Sequence, residues 1–283
     1  MTSHFEFYSL FLFLQQYRTG NFHLFGFYSR SKDTKIWTSI LMRLNFLREM
    51  TTTVTSVKDL EMVILDLLLR ACGTEGESTT KMSLKDFDQQ LYSLEILALW
   101  MALSKPTGSI RYQKCFEFLN ALESGDNDIN LLFKEDKAIT REALFDFDFG
   151  STASGKKVAA AIIKRINCDV QTQGGQGVEL FDSIDHHLEF ILPVKASKKT
   201  WGQSWPDSNE MNKLVNKIGN LAIVSNKPTA SDAKKAFTMK KERFKVEKWP
   251  LTMTLAELED WNSDSLIKNT EYIVNLIDGV WRL

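Results

Sequence analysis

Between residues 185 and 240 the chain gathers residue types that suit phosphodiester chemistry. Asp185-His186-His187 leads into Leu188-Glu189-Phe190-Ile191-Leu192-Pro193, then come Trp201, Gly219-Asn220-Leu221, Asn226, Phe237 and Lys240. Hydrolysing a phosphodiester needs a metal to neutralise developing charge, a base to prepare water, and a rigid mount for both. Glu189 and the adjacent histidines are the obvious raw material. Phe190, at the centre of the stretch, can neither accept a proton nor bind a metal. Each residue also has a plainer reading. Glu189 could be an ordinary strand acid, Asn220 a turn stabiliser, and Asn226, before Lys227-Pro228, a loop or N-cap residue. Trp201 and Trp205 fit core cover better than base stacking, and His4 and His23 have no partners in sequence.

The elements that must position these residues are mostly helices. Ile36 to Met50 sets Ile36, Ile40, Leu41, Leu44 and Leu47 on one face. Val57 to Cys72 is apolar nearly all round and ends at Gly73. After a polar Gly/Ser/Thr/Glu loop, Ser83 to Leu103 restarts with Ser83 as N-cap and stops before Lys105-Pro106-Thr107-Gly108. Ile110 to Leu122, Thr140 to Phe147 and Lys156 to Ile166 follow as further helices. The loop Gln171 to Gly177 marks the predicted boundary between a helical region over 1–170 and a smaller module over 178–283. In that module Ser183 to Leu192 reads as a strand and Leu221 to Val224 as a short β run. Ala230 to Glu247 reads as a basic amphipathic helix, and Leu255 to Trp281 as closing helices.

Strand geometry bears on the histidines. Side chains alternate faces, so His187 points away from Phe190. His186 shares the face of Phe190 but lies about 13 Å back at roughly 3.3 Å per residue. A bulge near Leu188 could re-aim His187.

Composition is that of an ordinary globular protein, with 43% hydrophobic and 25% charged residues. Three scattered cysteines, Cys72, Cys115 and Cys168, suggest a reducing, cytoplasmic setting and no disulfide framework. The apolar run Phe5 to Leu14 lacks preceding basic residues and is too short to span a bilayer, which takes about 20 residues; a buried helix fits it better. Charge is unevenly placed. Residues 195–248 hold 13 basic and 5 acidic side chains, so this stretch is +8 in a chain of −1 and the rest is −9. Such a split suits a polyanion-facing module on an acidic body, or a solvated lysine-rich surface.

Taken in order, these motifs resemble the HNH-type (ββα-metal) nuclease module at the C-terminus of GmrSD-type restriction endonucleases, which serve phage defence. The resemblance is clear over residues 180–283 and only suggestive over 1–170. It implies a mainly helical α+β fold: a helical region followed by a two-stranded ribbon against a helix, closed by C-terminal helices. It implies a DNA endonuclease using Mg²⁺ or another divalent ion. By that resemblance Glu189 is the acid beside the base and, with Asn226, a metal ligand, while Asn220 stitches the loop between strands. His187 and His186 are the available substitutes for the base, whose place Phe190 takes. Lys195, Lys234, Lys235, Lys240, Lys241 and Arg243 are the expected nucleic-acid contacts. Asn269 stands where the family tends to carry arginine, which puts one phosphate or structural contact in doubt. The expected partners are DNA and a separate nucleotide-hydrolysing N-terminal half, since no such domain fits in this chain. Two functions follow: a metal-dependent endonuclease of reduced activity, or a degenerate nuclease fold that binds nucleic acid or a partner without cutting. A helical interaction protein is the third reading, and it leaves the +8 segment unexplained.

Overall fold

A computed structural model describes residues 34–72, 82–124, 133–174 and 186–283. The run Phe5 to Leu14, the loop after Cys72 and residues 183–185 lie outside the described residues. The chain divides into two compact units, Met1–Lys137 and Ala138–Leu283. The break therefore falls upstream of residues 171–177, the first three of which are helical. The reason is packing: the helix Ala153–Gln173 lies against the ribbon that follows it and shares its core.

Unit one is helical. Its described helices are α1 (Thr34–Thr53), α2 (Leu60–Cys72), α3 (Leu84–Ser104) and α4 (Gly108–Ser124), and α5 (Lys134–Asp146) begins within it. Ile40, Leu44 and Leu47 of α1 are fully buried, as the spacing predicts, together with Leu60, Ile64, Leu91 and Leu97. Ser83 caps α3 by accepting from the Asp86 amide, and α3 ends at Lys105 in the left-handed conformation with φ 48°, just before Pro106. Arg43 of α1 reaches Asp88 at 3.0 Å and the buried Glu95 at 2.7 Å on α3, tying the two helices together.

Unit two is built round a ribbon. The described elements after α5 are α6 (Ala153–Gln173), β1 (His187–Phe190), α7 (Lys198–Trp201), α8 (Ser208–Leu214), β2 (Leu221–Val224), α9 (Phe237–Phe244), α10 (Pro250–Leu255) and α11 (Ser263–Trp281). Antiparallel β1 and β2 pair His187 with Val224 and Phe190 with Leu221. β2 is buried along its whole length, which explains its unbroken apolar sequence. The core collects Ile191, Leu192, Trp201, Trp205, Phe237, Phe244 and Trp261, so Trp201 and Trp205 are core. The fold is the expected mainly helical α+β class.

One expected helix is not continuous. Ala230 to Glu247 holds a short 3₁₀ turn, Asp232–Lys234, then Lys235 and Ala236 in extended backbone, then α9. The Thr229 hydroxyl donates to the Asp232 carboxylate at 2.6 Å and accepts from the Asp232 amide, which caps the start of the 3₁₀ turn.

The Gly-Asn-Leu triplet sits where the second strand begins. Ile218–Asn220 form a 3₁₀ turn pressed against α11. A Cβ on Gly219 would fall 2.6 Å from the Thr270 backbone nitrogen and 2.8 Å from its Cα, with the Thr270 hydroxyl closer still. Backbone crowded by backbone has no easy relief. Gly219→Ala should lower stability by about 1–3 kcal/mol or more, read as an earlier urea midpoint. An unchanged midpoint would mean that the turn and α11 are not in contact.

Candidate functional site

Part of the motif meets on one face of the ribbon. His187 and Glu189 share one face of β1; Leu188 and Phe190 take the other. Glu189 is 2% exposed, and its carboxylate is ion-paired with Lys240, whose Nζ lies 3.0 Å away, and with the Arg243 guanidinium. Lys240 and Arg243 stand three residues apart on α9, which presents both cations to β1. Lys240 is itself 1% exposed and donates at 2.6 Å to the Phe190 carbonyl. Burial pushes the Lys240 ammonium down to about 7, while the carboxylate beside it favours the charged form. Burial also lowers the Arg243 guanidinium from its ordinary value.

Phe190 lies on the opposite face. Its ring packs so closely against Gly150 that a Cβ there would fall 2.7 Å from it, and Lys156 Nζ stands 5.5 Å from the ring centroid. This aromatic is packed as structure. Of the two histidines, His186 sets its ring 6.1 Å from Trp249, edge to face. His187 is half-buried and lines a cleft of about 390 Å³.

Asn220 has no hydrogen-bonding capacity to spare. Its Oδ1 accepts from the Leu192 amide at 2.8 Å and from Trp261 Nε1 at 3.1 Å. Its Nδ2 donates to the carbonyls of Leu192 and Val215 at 2.9 and 2.7 Å. An amide side chain offers two acceptor and two donor sites, and here protein groups take all four. Asn220 stitches, and nothing in it is left to touch a substrate. Asn269 does related work by donating at 2.7 Å to the Gly219 carbonyl, a structural contact in the place in doubt.

The expected metal ligands do not come together. Asn226 is exposed in the loop after β2, whereas Glu189 is buried within β1. Among the described residues no three histidine, cysteine, aspartate or glutamate side chains cluster to hold a metal ion. The buried carboxylate already has two cations at contact. A divalent ion does not fit beside Glu189 in this arrangement.

The basic residues sort in a similar way. Lys240 and Arg243 face inward to Glu189. Lys235 is paired with Asp232 at 2.7 Å, and that hydrogen bond, helped by Thr229, holds the Asp232 carboxyl down at about 2. Lys241 lies over the Phe237 ring. Lys195 and Lys234 are exposed at the rim of the cleft. Lys227 joins them there and was missed, because the charge count alone gives no means of ranking one lysine above another.

Fold and site together define a mainly helical α+β domain whose two-stranded ribbon is backed by a helix bearing charge. The chain belongs to the family described as GmrSD restriction endonucleases, C-terminal domain, whose profile matches residues 134–276, just over half of its length. Membership makes it a nuclease module of the restriction-endonuclease type, with DNA as the substrate such a domain implies. No curated protein matches the chain. No helix among the described residues is long and apolar enough to cross a membrane.

Removing one partner of a buried ion pair strands the others. Glu189→Ala leaves the buried Lys240 ammonium without a carboxylate, while the part-exposed Arg243 keeps Glu247 as an acidic neighbour, and should lower unfolding free energy by about 3–5 kcal/mol. Asn226→Ala, at an exposed position, should stay within about 0.5 kcal/mol. Equal, small effects in chemical denaturation would show that the carboxylate is not held as described.

Proposed function

We propose that the C-terminal unit is a nuclease-fold domain of a GmrSD-type defence system that holds DNA by its backbone and does not hydrolyse it. One observation carries this reading: the Glu189 carboxylate is buried between Lys240 and Arg243, with an aromatic ring next along the strand where the family has its base. An acid neutralised in this way is not available to a metal. Loss of a general base alone typically lowers rate about 10²–10⁴-fold. What remains usable is the exposed lysine set at the cleft, Lys195, Lys227 and Lys234, which suits phosphate oxygens. The partner that selects where it binds is a separate nucleotide-hydrolysing chain of the same system.

A second reading rests on His187, which shares the Glu189 face of β1 and opens onto the cleft. There His187 is the base and the module cuts DNA with a divalent ion. Plasmid nicking in Mg²⁺ or Mn²⁺ separates the two. The non-cutting reading expects no nicking by the unmodified chain above a metal-only control, with duplex binding that weakens as salt rises. Each rim lysine changed to alanine should reduce the slope of log affinity against log salt by about one. Nicking that His187→Ala abolishes would establish the second reading instead.

A further inference from the structure

The cleft beside β1 has more in it than backbone binding uses. Its floor and walls include Leu188, Pro193, Val194, Pro228 and Ala233, and its rim carries Lys195, Lys227 and Lys234. Val194 is 48% exposed between a buried proline and a lysine, an apolar side chain offered to solvent at the mouth. None of the three rim lysines has an acidic partner among the described residues, unlike Lys235, Lys240 and Arg243.

A duplex has little use for such walls. Its base faces are covered by their stacked neighbours, so a protein reaching the backbone meets only phosphate and sugar. Lysines on an open surface would serve that purpose without a concavity. An unstacked base is different: it presents two bare faces that gain by leaving water, while its phosphate needs cations a short distance away. The volume of about 390 Å³ lies within the roughly 300–1,000 Å³ typical of small-ligand clefts. Apolar walls with a ring of free lysines complement one nucleotide with its flanking phosphates.

We propose that this cleft takes an unstacked nucleotide of single-stranded DNA. The proposal rests on the reading of the domain as one that binds DNA, and it names the form of DNA bound. Lys195, Lys227 and Lys234 hold the phosphates, while Val194, Pro193 and Leu188 cover the base.

The test is fluorescence anisotropy on the full chain with three labelled probes. They are a thymidine oligonucleotide of about a dozen residues, a strand of equal length with its central bases removed, and a matching duplex. The intact strand is expected to bind about tenfold more tightly than the abasic strand, the order expected when one base's apolar surface leaves water. Val194→Glu, a change at a half-exposed position, is expected to weaken the intact strand by a larger factor than the abasic strand or the duplex, whose phosphates meet only the added charge. Equal binding of intact and abasic strands, or a preference for duplex, overturns the proposal while the non-cutting DNA-binding reading stands. Absence of binding to every probe overturns both. Should Val194→Glu fail to fold, the comparison of the three probes on the unmodified chain decides alone.

Discussion

A carboxylate in the interior of a protein must be neutralised, and the way Glu189 is neutralised determines what this ribbon can do. An isolated buried charge is prohibitively costly, so a partner has to be built in. α9 supplies two, Lys240 and Arg243, one turn apart. Lys240 does a second job by donating to the Phe190 carbonyl, so the same side chain closes the charge and fastens the end of β1. Glu189 is an internal brace between strand and helix.

The brace works because a second device sets the ribbon. Asn220 joins the chain leaving β1 at Leu192, the turn at Val215 and the indole of Trp261 through four hydrogen bonds. Gly219 lets that turn reach α11, and Asn269 holds the Gly219 carbonyl from the helix side. The triplet Gly-Asn-Leu therefore has a physical reading at each position: close approach, stitch, first residue of a buried strand. Glu247 extends the same logic by accepting from both the amide and the hydroxyl of Ser225, which anchors the exit from β2. The ribbon and both of its ends are thereby held fixed.

Much of this was legible in the residues and some was not. Helical spacing located α1 and α3, and the Ser83 cap is where its type predicts, because these signals are local. The strand alternation that separates His187 from Phe190 also follows from local geometry. The unit boundary was not legible: α6 looks like one more helix of a bundle, and only long-range packing against the ribbon assigns it to the C-terminal unit. The break at Lys235 and Ala236 was hidden by apolar spacing that suits a helix. For the site, basic residues could be counted but not sorted. Whether a lysine faces Glu189, Asp232 or solvent depends on tertiary contacts that no spacing records.

The central claim is that the chain's own cations stand where a metal would have to act. Titration of the full chain with Mn²⁺, followed by the loss of the free-ion electron paramagnetic resonance signal, tests it most directly. The account predicts only weak, non-stoichiometric binding, the same in unmodified chain and Glu189→Gln. One tightly bound Mn²⁺ per chain, lost in Glu189→Gln, would contradict it.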